Sequence, residues 1–329
     1  MTTELSIIIP VYNAVAYINR CIDSIISAMK FAKLTQEEVE IIVVDDCSTD
    51  MTSNLLEELK KNIVPNLVII RHKINRQQGA ARNTGLRAAN GKYVWFVDVD
   101  DLIEEEILKQ IKSPLLDSQP DIFQFHAIKL DINGNYLKEP YIEHSVGPMT
   151  GKEFMEFEAT YGNSNRIRAS WSKWFRRNYL LNNEIYFQEG VYWEDVMHTL
   201  KSLFLADKVI YEPVSGYIYI QTPNSDMRGK QNGKKYADTI RFCAQSCEFL
   251  VKHNASEEIK DSMKPYYNKV LRKYKQNIGN LSEAELSIFC NILNDIDLTY
   301  ISLFFYCDEH SWLLDADSIK TIWTTSHEN

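Results

Sequence analysis

Four short runs of apolar and β-branched residues, LSIIIPV, EIIVVD, LVII and YVWFVD, recur through the first third of the chain. Amphipathic helical patterns separate them, over residues 17–33, 52–61 and 78–89. Strands this uniformly apolar are buried on both faces, and their alternation with helices reads as βαβ units in a mainly parallel sheet. Each run ends in polar residues: YN, then DDCSTD, then RHKINRQQG, then DVDD. A ligand site is therefore expected at the carboxyl edge of the sheet. The last run constrains that site most, because YVWFV leads straight into Asp98, Asp100 and Asp101. Carboxylates delivered together to an open sheet edge call for a cationic partner.

With 329 residues and 45% hydrophobic content, the chain can bury a substantial α/β core and carry a smaller addition. The pattern loosens after residue 121. DINGNY offers a hairpin turn, residues 194–206 read as a helix leading into the strand KVIYE, and GYIYIQT reads as a further strand. Beyond about residue 225 the sequence turns polar and then helical, with a Ser-x-x-Glu capping box in NLSEAE. We expect a catalytic domain over residues 1–225 and a helical C-terminal region over 226–329. The formal net charge of −9 argues against broad nucleic-acid binding. The six cysteines, Cys21, Cys47, Cys243, Cys247, Cys290 and Cys307, form no CxxC pair and read as reduced structural residues.

Neither GxGxxG nor GxxxxGK[ST] occurs, so phosphates must be held without a glycine-rich cradle of those kinds. The acids of DVDD supply another route. Repulsion between Asp98 and Asp100 is relieved by a shared Mn²⁺ or Mg²⁺, which takes one or two carboxylates and fills its other positions with water and phosphate oxygens. The competing reading makes these acids caps for a helix over LIEEEILKQI, Asp101 above all. The seven histidines form no HxxxH or HExxH set, which leaves no zinc signature; His198, one turn beyond Glu194, either faces the site or solvent.

Taken in order, IIIPVYN, VVDDCSTD, NRQQGAARNTGL, WFVDVDD, WSKWFRR and EGVYWED closely resemble the inverting glycosyltransferases of family 2, densely over residues 6–101 and fading after about 225. The resemblance implies a GT-A fold: a Rossmann-like, mixed but mainly parallel sheet flanked by helices, here with a C-terminal helical appendage. It also implies a nucleotide-sugar donor, most often a UDP-sugar. Pro10, Val11 and Tyr12 would form the nucleoside wall, and Asp46 or its neighbour Asp45 would accept from the uracil N–H. The second reading of those two acids is that they start the CSTD turn. Gly79 permits close backbone approach. Arg82 either serves the anionic donor or bridges the acids beneath it. Asp98 falls to the ribose and metal neighbourhood and Asp100 to metal ligation. Asp195, with Glu194 beside it, matches the base that deprotonates the acceptor; both also suit the first turn of the helix that follows. Lys173 and Arg176 would reach phosphate or hydroxyl groups, while Trp171 and Trp174 either stack on sugar or fill the core.

The expectation is a metal-assisted single displacement from a UDP-sugar to a hydroxyl of a glycan or lipid-linked saccharide, as in bacterial surface-polysaccharide synthesis. Its rival is a non-catalytic nucleotide-sugar binding or assembly module, against which the full set of acids counts. A third class is a retaining transferase or a nucleotidyltransferase on a similar sheet, the latter weakened by the lack of a GxGxRL-like loop after the first strand. No basic-then-apolar leader opens the sequence and no run reaches the ~18 apolar residues of a membrane span. We therefore expect a cytoplasmic protein, with any contact at the inner face of the membrane peripheral. The aromatic YISLFFYCDEHSWLL would supply a face for the protein itself, a second copy or that membrane surface.

Overall fold

The computed structural model describes residues 3–138, 141–160, 169–222, 232–305, 313 and 316–328. The expected boundary near residue 225 and Cys307 lie outside the described residues. Strands β1 (Leu5–Val11), β2 (Val39–Asp45), β3 (Val68–Arg71), β4 (Tyr93–Phe96), β5 (Leu102–Ile103), β6 (Ile122–Leu130), β7 (Val146–Met149), β8 (Lys173–Arg176) and β9 (Val209–Ile220) form one sheet. The order is β3-β2-β1-β4-β8-β6-β9-β5, with β7 also on β9. The first four in that order are parallel. β8 then runs antiparallel to both β4 and β6, so the sheet is mixed from that seam onward.

The apolar runs became strands because both faces are covered. Ile7, Ile9, Ile41, Val43 and Trp95 pack with helices α1 (Ile18–Phe31) and α2 (Thr52–Asn62) on one face. Ile8, Ile42, Val44, Val94 and Phe96 pack with α3 (Gln77–Ala88) on the other, as the two-residue period of a strand requires. The second face also carries the helix Glu194–Phe204 and the C-terminal helices Gly233–Lys252, Glu257–Asn277 and Glu283–Leu293, whose buried side chains join the same apolar cluster. Ile301, Phe304 and Leu313 are buried there too, so these three residues of the aromatic C-terminal run pack on the protein itself, while Leu303 is exposed. Ser282 forms the expected capping box with Glu285. No described helix is long and apolar enough to cross a membrane.

Two local readings change. LIEEEILKQI is not a helix from its start: Leu102 and Ile103 pair with Ile218 and Tyr217 as β5, and a 3₁₀ turn follows only at Ile107–Lys112. Asp101 is accordingly no cap. Its Oδ2 accepts from the Tyr217 hydroxyl and its Oδ1 from the Ile220 N–H, each at 2.7 Å. KVIYE and GYIYIQT, read as separate strands, are the two halves of β9, which follows β6 along its length through an irregularity at Phe125–Ala127.

Candidate active site

The carboxyl ends of β1, β2 and β4 meet at one edge, where Val11 lies opposite Asp45 and the Asp46 N–H donates to the Val11 carbonyl at 2.8 Å. Pro10 and Val11 are buried, whereas Tyr12 is 48% exposed, so Tyr12 alone of the three presents its side chain at the edge. Asp45 closes the turn that follows: Oδ1 accepts from the Ser48 N–H at 2.9 Å and Oδ2 from the Ser53 hydroxyl. Asp46 is also buried and tied to the chain. It accepts from the Arg76 N–H at 2.9 and 3.0 Å and meets His72 Nδ1 at 2.6 Å, while His72 Nε2 lies 2.9 Å from the Thr84 hydroxyl.

Arg82, on α3, is the hub. It is 3% exposed, and its Nη2 donates to Asp98 Oδ1 at 2.7 Å while its Nη1 donates to Glu194, itself 3% exposed. Burial opposes the guanidinium charge, but Asp98, Glu194 and Asp195 outweigh it and hold Arg82 more firmly protonated than usual. One buried cation thus bolts the end of β4 to the start of the helix Glu194–Phe204. Burial raises the Glu194 carboxyl against the opposing pull of Arg82. Asp195 is pushed up to about 7, by burial first and by the Glu194 carboxylate second. No described residue forms an ion pair with Asp195.

Asp98 remains 26% exposed, with one carboxylate oxygen on Arg82. Asp100 lies beside it, Oδ2 accepting from the Thr222 hydroxyl at 3.2 Å and its backbone carbonyl accepting from Arg20. Burial, and then the Asp98 charge, raises the Asp100 carboxyl. No group of three or more metal-type side chains occurs among the described residues. Two crowded carboxylates fit a Mn²⁺ or Mg²⁺ that takes its remaining ligands from water and phosphate.

The sequence profile described as Glycosyl transferase family 2 matches residues 6–182, more than half of the chain. The chain belongs to glycosyl transferase family 2. Among curated relatives, glycosyltransferase GlyA of Streptococcus pneumoniae is 29% identical over 221 residues, 66% of this chain and 30% of GlyA. An uncharacterized glycosyltransferase of Escherichia coli, YibD, is 28% identical over 272 residues, 81% of this chain and 76% of YibD. The poly(ribitol-phosphate) beta-N-acetylglucosaminyltransferase TarS of Staphylococcus aureus is 30% identical over 220 residues, 66% of this chain and 35% of TarS. The chain therefore spans about a third of the length of GlyA and TarS. The crystal structure of TarS 1-349 in complex with UDP-GlcNAc superposes with a TM-score of 0.70 at 22% identity, covering 99% of this chain and 92% of that one. That likeness establishes the GT-A fold.

Several residues that the family 2 resemblance picks out sit differently from expectation. Lys173 cannot reach a phosphate from its place: it is fully buried, its ammonium donates to the Ala169 carbonyl at 2.7 Å, and burial lowers it to about 8 against the attraction of Glu158 and Asp195. Arg176 pairs with Asp121 at the far end of β8. Trp174 is core, while Trp171 stacks on Tyr217 at 4.7 Å. His198 faces neither site nor solvent; it is buried against Phe187 at 3.8 Å, and burial lowers it to about 3. The backbone that approaches Gly79 is the protein's own. A Cβ there would lie 2.4 Å from the Gln188 carbonyl and 3.1 Å from Glu194 Cγ. Gly79→Ala should therefore lose on the order of 1–2 kcal/mol of stability, overpacking of about 1–3 kcal/mol outweighing a helix-propensity gain below about 1 kcal/mol. Urea denaturation measures this, and a variant as stable as wild type would contradict the crowding.

Three contributors were missed: His72, Tyr217 and Thr222. Tyr217 is joined to the acidic loop twice, accepting from the Asp98 N–H at 3.1 Å and donating to Asp101. Its alternation within GYIYIQT was the available signal for an inward side chain.

Proposed function

We propose that this site transfers a sugar from a UDP-sugar to a hydroxyl of a cell-surface glycan acceptor, with inversion, and that Asp195 is the base. The reading is carried by one observation: Arg82 links Asp98 at the sheet edge to Glu194, the residue next to Asp195. Acids suited to the leaving group and an acid suited to the acceptor are thus held on one rigid frame. The acceptor oxygen attacks the anomeric carbon, its proton passes to Asp195, and the carbon–oxygen bond to the diphosphate breaks with its electron pair leaving on UDP. Tyr12 lines the nucleoside, and Asp46 holds the loop beside the base through His72 and Arg76. Asp98 and Asp100 would hold the divalent cation. When bound, that ion supplies positive charge to the departing phosphate oxygen. The named activities of TarS and the poly(ribitol-phosphate) beta-glucosyltransferase of Bacillus spizizenii support a surface-polymer acceptor. As part of the same proposal, the reaction takes place in the cytoplasm, at the membrane face where lipid-linked saccharides are extended.

The test begins with Asp100→Ala. UDP affinity measured by calorimetry with and without Mn²⁺ should fall about 10- to 100-fold in the metal's presence, the size of loss that even an outer-shell metal partner produces. The residual binding should no longer respond to Mn²⁺. Wild-type UDP affinity with intact Mn²⁺ dependence would remove Asp100 from the metal site. Release of UDP from UDP-sugars by the unaltered protein separates this reading from a binding module without activity.

A further inference from the structure

The turn that presents Glu194 and Asp195 is gripped from behind by the first turns of the helix Gly233–Lys252. The Trp193 indole N–H donates to the Thr239 hydroxyl at 2.9 Å, and that hydroxyl in turn donates to the Lys235 carbonyl at 2.8 Å. One residue earlier, the Tyr192 N–H donates to Asp238 Oδ2 at 3.1 Å, and Asp238 is buried. The Lys234 ammonium reaches the Gly190 carbonyl at 2.8 Å. Lys235, also buried, lies 5.5 Å from the centre of the Trp193 ring. The grip has something to hold. Trp193 sits at φ +64, ψ +34, a left-handed conformation that a bulky residue adopts only where its surroundings impose it. That residue is the last before the helix bearing the two acids, so its backbone angles set the direction in which Asp195 leaves the turn.

We infer that Thr239 and Asp238, in the C-terminal helical region, are positioning residues for the transfer step: by holding Trp193 and Tyr192 they fix the left-handed turn and aim Asp195 at the acceptor. The inference rests on the proposed role of Asp195. It also assigns a task to helices that carry no recognisable motif. The donor side joins this turn through the Arg82–Glu194 bond, but Asp98 and Asp100 have further holds of their own in Tyr217 and Thr222. Loosening the turn at Trp193 therefore displaces the base more than the nucleotide seat, where Glu194 stays on Arg82 and Asp98 keeps Tyr217.

Thr239→Val keeps the shape of the side chain and removes its hydroxyl. With UDP-GlcNAc as the probe, or whichever UDP-sugar in a panel is turned over fastest, kcat for UDP release should fall about 10- to 100-fold, the effect of displacing a reacting group by about 1 Å. UDP affinity should stay at the wild-type value, the melting temperature should fall by no more than the lost hydrogen bonds account for, and Thr239→Ser should restore turnover. Trp193→Phe, which deletes the same bond from the other side, should match Thr239→Val, and the double variant should be no worse than either. In an Asp195→Asn background, Thr239→Val should add nothing. Wild-type kcat for Thr239→Val and Trp193→Phe, with Asp195→Asn inactive, would overturn the inference alone. Loss of UDP affinity in step with kcat would reduce the contact to a structural one and overturn it as well. Normal turnover by Asp195→Asn would instead remove the reading beneath it. If Thr239→Val fails to fold, Trp193→Phe carries the same comparison.

Discussion

Asp195→Asn is expected to lower transfer by about 10²- to 10⁴-fold, the usual contribution of a positioned general base, while UDP-sugar affinity persists. Asparagine keeps the size and polarity of the side chain but cannot take the acceptor's proton. The pH profile adds a second check. Burial and the Glu194 charge hold the Asp195 carboxyl up to about 7, so below that pH it already carries a proton and is too weak a base to take the acceptor's. Wild-type kcat should accordingly rise with pH and level off above about 7, and the variant should lack this limb. Near-normal transfer by Asp195→Asn with an inactive Glu194→Gln would move the base by one residue. Normal transfer by both would end the single-displacement reading.

Arg82→Met should cost about 3–5 kcal/mol of folding stability, the penalty for breaking a buried ion pair and leaving a charge without compensation. The methionine fills much of the same space, so loss of packing explains little of such a value. Glu194, almost without solvent access, then has no cation to meet its carboxylate and must take up a proton or admit water. Adding Glu194→Gln should recover a large part of the loss, because two neutral side chains leave no stranded charge there. Chemical denaturation of the two variants tests the comparison. An Arg82→Met variant within about 1 kcal/mol of wild type would mean that the Arg82 ion pairs contribute little.

The parallel half of the sheet was legible because its strands are buried on both faces, and a buried strand is hard to write in any other residues. The acids of DVDD were legible for the related reason that an apolar strand ends abruptly in them. What escaped depends on partners distant in the chain. Lys173 has its hydrogen-bond partner, the Ala169 carbonyl, only four residues away, but the burial that keeps its ammonium from the surface comes from the packed sheet around it and leaves no local mark. Local pattern made LIEEEILKQI look helical, but β9, more than a hundred residues away, offers Leu102 and Ile103 a better use for their main-chain groups. Gly79 signals a close approach without saying whose backbone approaches. Thr239 and Asp238 lie in an ordinary amphipathic stretch, where nothing distinguishes a side chain that holds a turn from one that faces water.

Arg82 and Glu194 are 112 residues apart. A ribosome adding about 5–20 residues per second makes the guanidinium roughly 6–22 s before the carboxylate that balances it. Through that interval Asp98 can already meet Nη2, but Nη1, whose partner Glu194 is not yet made, is left to water, and a surface still hydrated in this way cannot be sealed. The parallel half of the sheet can gather its strands as they emerge, yet the face holding Arg82 must stay open until residue 194 arrives. Closure of the pocket is in this respect timed by synthesis, and it belongs to the last stages of folding.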